Sequence, residues 1–417
     1  MWDPYSEFQV ATLPNGLTIH AAYWPGRSWE AMGFLIHSGA EHDPVGLEGL
    51  SHFVEHVVSE NTNLSKKKII SFFEDCGGTV HLGSTGYPCT QYQFFAPADK
   101  AVLVRAFSIF GNMLLLTNLR NFIEQERQVI IREFYSYYPL KCRIDLSIRK
   151  NKALYAGYWL ERFIRPLGNP ESVSQITQSD LQSYYDAHYT PANISIVGVG
   201  GMKLEQLIEL LSESPFAIHK KGERTPLPVP VTNVTPPSET RYVFEISKHF
   251  TMPIEVGSYT TVAKIPGNIK GSVICIINYM FDKVILENVR EKHAWAYDID
   301  VNRQNFRHFY EFSIHCDALA PNAINDIEKV IEICIDSIID REDLFEQVKR
   351  RILASNSMID FNGNNVLNDA IEDLAQKQRI ISLKEISDDI EHITMNDIRD
   401  VLQWLQPERR WTLIVKP

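Results

Sequence analysis

The sequence predicts an α+β protein made of two tandem, homologous αβ domains, each with helices packed on a mixed or antiparallel sheet. Three observations carry that prediction. Strand-like and helix-like segments arrive in alternating blocks, β-rich then α-rich and then again, which is the order expected when helices cover a sheet. The stretch "SDLQSYYDAHYTPANISIVGVG" from Ser179 lines up with "NDIRDVLQWLQPERRWTLIVKP" from Asn396, with Asp180 opposite Asp397 and Pro191 near Pro407, so a helix, a proline and a strand recur in each half. Between the halves, "KKGERTPLPVPVTNVTPPSET" carries Pro226, Pro228, Pro230, Pro236 and Pro237 and reads as a stiff, extended linker. The expected division is therefore 1–220, a linker at 221–240, and 241–417. A chain of 417 residues that is 44% hydrophobic can fill two cores of ordinary size.

Taken in order, "FQVATLPNGLTIHAAYW" gives two short strands around a Pro-Asn-Gly turn, and "WEAMGFLIHSGAE" a third. A helix follows over "GLSHFVEHVVSE", with Leu47, Leu50, Phe53, Val54, Val57 and Val58 apolar and Glu48, Ser51, Glu55 and Glu60 polar. "SKKKIISFFEDCGG" predicts a second amphipathic helix, capped by Ser65 and stopped at Gly77-Gly78. "TVHLGSTG" and "CTQYQFFAPA" read as strands, and the apolar-periodic run from Asp99 to Tyr138 as two helices. "GVGGM" at 198–202 lacks the spacing of a phosphate loop and reads as the tight exit turn of a strand.

A net charge of −11 argues against a nucleic-acid surface and favours neutral or basic partners. The six cysteines have no CxxC pair and no regular spacing, so neither a disulfide framework nor a thiolate zinc site is suggested; free thiols in a reducing compartment are expected. The N-terminal "MWDPYSEFQV" has no basic segment leading into an apolar run, and no 18-residue apolar stretch follows, so the expectation is a cytoplasmic chain with no membrane partner.

Chemistry concentrates in "HFVEH". Residues i and i+4 lie only about 40° apart around a helix, so the imidazoles of His52 and His56 can converge on one ion. Glu55 sits beside them, awkwardly placed as a ligand yet near enough to take a proton from water at the metal. Neutral imidazole ligands, an open coordination position and a carboxylate base are the requirements of a hydrolytic zinc site. The third ligand is expected from "NFIEQERQVIIREFYSYY", where Glu126 and Glu133, seven apart, share a helix face. Spacing alone does not choose between them. The bland alternatives are a pair of core histidines and a solvated acidic face.

"HFVEH" followed by Glu133, with 76 residues between His56 and that glutamate, resembles the inverted-zincin signature of the pitrilysin or insulinase family of metallopeptidases, M16. "LPNGLTIHAAYWP", "HSGAEHDPVGLEGLSHFVEH", "QERQVIIREF", "RPLGNPESVSQIT" and "YDAHYTPANISIVGVGG" resemble successive landmarks of the family in the same order, and "LENVREKHAWAYDIDV" resembles the segment bearing a substrate-binding arginine and tyrosine. The resemblance implies Zn2+ held by His52, His56 and Glu133, Glu55 as general base, Glu126 as an accessory carboxylate orienting the ligands, and Arg290 and Tyr297 binding the carbonyls of a peptide. It also implies the metallohydrolase fold shared by LuxS and the mitochondrial processing peptidases, with a half-size chain forming half of a clamshell. The chain departs from the family where an asparagine is common on the strand after the second helix: His81 and Leu82 stand there. That strand is expected to pair with substrate, so the change bears on substrate preference. The glycine-rich loop of mitochondrial processing partners is absent, "IPGNIKGS" being its nearest approach.

The expected activity is zinc-dependent hydrolysis of short or unfolded peptides in a chamber closed by two chains. In the family, the arginine and tyrosine of one half face the zinc of the other, so a homodimer is expected, with a heterodimer of related M16 subunits next. The alternative function is a non-catalytic scaffold or partner subunit of a peptidase complex, which degenerate ligands would mark; all three ligands and the base are present.

Overall fold

The computed structural model describes residues 2–60, 64–226, 231, 233–248, 256–357 and 361–417. It contains two mixed sheets, each backed by helices. The first is built from β1 (Phe8–Thr12), β2 (Thr18–Tyr23), β3 (Trp29–Ile36), β4 (Thr79–Thr85), β5 (Thr90–Pro97) and β6 (Ile194–Gly200), in the order β1-β2-β6-β3-β5-β4. β2 and β6 run parallel and every other pairing is antiparallel. The second comprises β7 (Arg241–Glu245), β8 (Gly257–Pro266), β9 (Asp298–Asn305), β10 (Phe309–Leu319) and β11 (Arg410–Lys416), in the order β7-β11-β8-β10-β9, with β7 and β11 parallel. The second order repeats the first without β1, which is the internal duplication in structural form. The recurring helix-proline-strand unit is also capped alike in both halves. Thr177 and Asp180 form a reciprocal capping box at the start of Gln178–His188, and at Met395–Leu402 Asp397 likewise accepts from the Thr394 amide and hydroxyl.

Between strands the first half places α1 (Leu50–Glu60), α2 (Lys66–Asp75), α3 (Lys100–Leu115) and α4 (Ile123–Tyr137). Local chemistry explains their ends. Asp99 accepts from the Ala101 and Val102 amides to start α3, and Gly77, at φ +78°, ends α2 as Gly78 N–H returns to the Phe73 carbonyl. Ser65 occupies the α2 cap position, but its hydroxyl makes no capping bond; its carbonyl accepts from Lys68 and Ile69 instead.

The chain packs as two compact units that do not follow its midpoint. One unit holds Met1–Asp145, Arg162–Leu227 and Asp360–Leu383; the other holds Leu146–Glu161, Pro228–Ile359 and Lys384–Pro417. Two segments are thus exchanged, and the offset that relates Asp180 to Asp397 carries the first onto the second, so equivalent pieces of the duplicated chain swap places. The reason is apolar burial. β3 and β6 are buried on both faces, and their outer face is covered by helix Gly363–Lys377, whose Val366, Leu367, Ala370, Ile371 and Leu374 pack on Ala31, Leu35, Val197 and Val199. A Cβ at Gly33 would lie 2.5 Å from Ile371 Cδ1, so the glycine sets how closely that helix approaches the sheet. In the other unit, Tyr155 stacks on Phe309 at 5.8 Å and the Lys264 ammonium lies 4.4 Å above the Tyr158 ring. The expected boundaries 1–220, 221–240 and 241–417 contain neither exchange, and Pro228 and Pro230 of the expected linker lie outside the described residues.

Candidate metal centre

α1 is buried almost all round, between β4, β5, α3 and α4 and the helix Gln178–His188, so Ser51 and Glu55, read from the sequence as part of a polar face, are inside. Its start is fixed from a distance. The buried Asp43 carboxylate accepts from the Gly49 amide at 2.7 Å and the Ser51 amide at 2.9 Å, and Arg162 bonds both Glu48 Oε1, at 2.6 Å, and the Asp43 carbonyl, at 3.2 Å. α4 lies alongside with Glu126, Ile130 and Phe134 buried and Glu133 half-buried, all on one face.

The two helices bring His52, His56 and Glu133 together, with one ligand atom from each lying within 4.8 Å of the others. Glu133 Oε2 is 3.7 Å from His52 Nε2 and 3.6 Å from His56 Nε2, and the two rings are 4.6 Å apart in an edge-on arrangement. Ligands of a tetrahedral zinc at about 2.0–2.1 Å stand about 3.3–3.4 Å from one another, so this donor set fits the ion in both chemistry and spacing. On its other nitrogen, His56 Nδ1 lies 2.8 Å from the buried Glu126 Oε2, which leaves Nε2 facing Glu133. Spacing had left Glu126 and Glu133 equivalent as ligands; the structure puts Glu133 between the imidazoles and Glu126 behind one of them.

Electrostatics follow from burial and these partners. Burial, then the charge of His56, lowers His52 to about 4, so it is a neutral imidazole at pH 7. His56 is pulled down by burial, but Glu126 and Glu133 outweigh that and raise it to about 9. The neighbouring His56 holds Glu133 below the usual carboxylate range. A divalent cation held by these three groups would take the place of the His56 proton. Glu55 is raised to about 7 by burial, which poises it near neutrality. Its Oε2 accepts from Thr85 Oγ1 at 2.9 Å, and Gly83 on the same strand lies against its carboxylate.

Arg290 and Tyr297 belong to the other unit. Arg290 sits on a π-helical turn, Leu286–Lys292, which follows helix Gly271–Ile285, and its guanidinium lies 4.9 Å from the centre of the exposed Tyr297 ring. Sequence reasoning missed Asp43, Thr85 and Gly83. Asp43 lies eight residues before Ser51, too far away to read as a helix cap, and Thr85 reaches Glu55 only through the folding of β4.

The profile described as Insulinase (Peptidase family M16) matches residues 25–143, and that of the Peptidase M16 inactive domain matches 175–352. The chain is 30% identical over 233 residues to the mitochondrial-processing peptidase subunit beta of Saccharomyces cerevisiae, covering 53% of this chain and 48% of that protein. An uncharacterized zinc protease of Rickettsia felis is 26% identical over 227 residues, covering 52% of each. The aligned part thus spans about half the length of these relatives. Over its whole length the fold is similar to that of a protease from Helicobacter pylori, with a TM-score of 0.82 at 16% identity and full coverage of both chains.

Proposed function

The chain belongs to the insulinase family of M16 peptidases, and from that premise we propose that it is a zinc-dependent endopeptidase acting on short or unfolded peptides. The observation that carries this reading is the convergence of His52, His56 and Glu133 with Glu55 at their side. A zinc ion held by those three groups supplies a Lewis acid and lowers the pKa of water to about 7. Everything else is work for side chains. Glu55 takes a proton from the attacking water and returns it to the leaving amine as the C–N bond breaks. Glu126 keeps His56 in the tautomer and orientation that present Nε2.

β4 is the terminal strand of its sheet, so a peptide adding to it as a further strand would run past Glu55, with His81 on the exposed side. Arg290 and Tyr297 serve as the peptide clamp, and the family resemblance assigns them to the zinc centre of a second chain, so the working unit is a homodimer, with a heterodimer of related subunits next. Among the described residues no helix is long and apolar enough to cross a membrane, and the scattered cysteines favour a reducing compartment, the cytoplasm.

One observation favours a second reading, a non-catalytic partner subunit: residues 175–352 match the inactive domain. That match covers none of the metal-binding residues, which lie in the segment 25–143. The experiment is digestion of a mixed library of unstructured peptides by zinc-loaded protein, read by mass spectrometry, alongside sedimentation of the same sample. Cleavage by a dimer supports the first reading; a zinc-bound chain inert towards the whole library supports the second.

A further inference from the structure

We propose that Thr85 is a positioning residue for Glu55, its hydroxyl and the bare backbone of Gly83 together holding the Glu55 carboxylate in one place beside His52 and His56. This inference rests on the peptidase reading above. A glutamate has three rotatable bonds and keeps its freedom unless something fixes its end. Here the fixing is done by the strand above it. Thr85 Oγ1 donates to Glu55 Oε2 at 2.9 Å, and a hydroxyl has only one proton to give.

Residues 83 and 85 face the same side of a strand, and both meet Glu55. A Cβ at Gly83 would fall 2.2 Å from Glu55 Oε1 and 2.5 Å from its Cγ and Cδ, so any other residue would evict the carboxylate. Gly83 also has φ +146°, and the β4–β5 register slips between His81 and Ser84, which is the local bulge that sets it there. Thr85 is held in turn by its pairing with Thr90 of β5. The edge strand open to a peptide is therefore the strand that aims the base.

The test compares Thr85→Val, Thr85→Ser and Gly83→Ala with the parent, all zinc-loaded, by kcat, KM, zinc content, melting temperature and crystal structure. Loss of the anchor is expected to lower kcat about 10- to 100-fold in Thr85→Val, with KM and zinc content unchanged, because misplacing a catalytic group by about 1 Å costs on that order. Thr85→Ser is expected to recover kcat to within about threefold, since it restores the donor. Gly83→Ala keeps the hydroxyl but fills the space, so it reaches the same kcat loss by another route and serves if Thr85→Val fails to fold. In the crystal the Glu55 carboxylate is expected to leave its parental position in Thr85→Val. A Glu55 that stays in place, or a kcat loss that serine does not rescue, overturns the proposal. Turnover by Glu55→Gln at the parental rate sinks the general-base reading instead, and the position of Glu55 in Thr85→Val then still decides whether Thr85 anchors it.

Discussion

His56 and Glu126 are joined through Nδ1 and Oε2 at 2.8 Å, on the side of the imidazole facing away from Glu133. The bond fixes which nitrogen is offered to a metal, and the carboxylate that makes it is buried. Glu126→Ala is expected to weaken zinc binding about 10- to 100-fold, the usual cost of losing a partner behind a metal-bound histidine. Glu126→Gln, which can still accept at Oε1, should lose less. Competition with a chelator of known affinity measures both.

Gly33 and Ile371 test the exchanged helix. Ile371→Ala is expected to cost about 2–5 kcal/mol through the cavity it leaves. Gly33→Ala drives a Cβ to 2.5 Å from Ile371 Cδ1 and should cost about 1–3 kcal/mol by overpacking. The double variant should be more stable than the sum predicts, because the small side chain at 371 makes room for the new methyl. Urea unfolding of the four proteins gives the coupling.

Glu30 makes stability depend on pH. It is fully buried on β3, where desolvation outweighs the Met202 and Gly201 amides, and its pKa rises to about 8 from 4.5. A folded pKa above the unfolded one stabilises fully below about 4.5, and that stabilisation drains away as pH climbs through 8. Glu30→Gln is therefore expected to flatten the fall in stability between pH 5 and 8, by an amount on the order of 4 kcal/mol across the whole window. Denaturant midpoints of the parent and the variant at pH 5, 6.5 and 8 check the sign.

Ala294 ends the π-helical turn of Arg290 at φ +52°, with its amide on the Arg290 carbonyl and the Trp295 amide on that of Val289. Glycine is the residue suited to that left-handed stop. Ala294→Gly is expected to raise stability by about 1 kcal/mol. A melting temperature that falls would count against the strain.

Much of the first unit was legible because its signals are local. The Pro-Asn-Gly turn gives the β1–β2 hairpin, Asp99 the start of α3, Gly77-Gly78 the end of α2, and the i, i+4 spacing the convergence of His52 and His56. The repeat was legible through Asp180 and Asp397, each of which accepts from the amide and hydroxyl of the threonine three residues before it. The exchange of segments was not. Helix Gly363–Lys377 reads as amphipathic, but nothing near it in sequence states that its apolar face belongs on β3 and β6, more than 160 residues earlier. Spacing alone could not choose between Glu126 and Glu133, which the family resemblance assigned, and for the same reason the roles of Asp43 and Thr85 waited for tertiary structure.

If Glu55 moves protons and does not hold the metal, zinc stoichiometry and peptide turnover must part company, and both are measured on the same preparations of the parent and Glu55→Gln. One zinc per chain is expected in both proteins, with turnover in the parent alone. A Glu55→Gln protein that loses its zinc would make Glu55 a ligand, and one that keeps zinc and cleaves at the parental rate would remove it as the base.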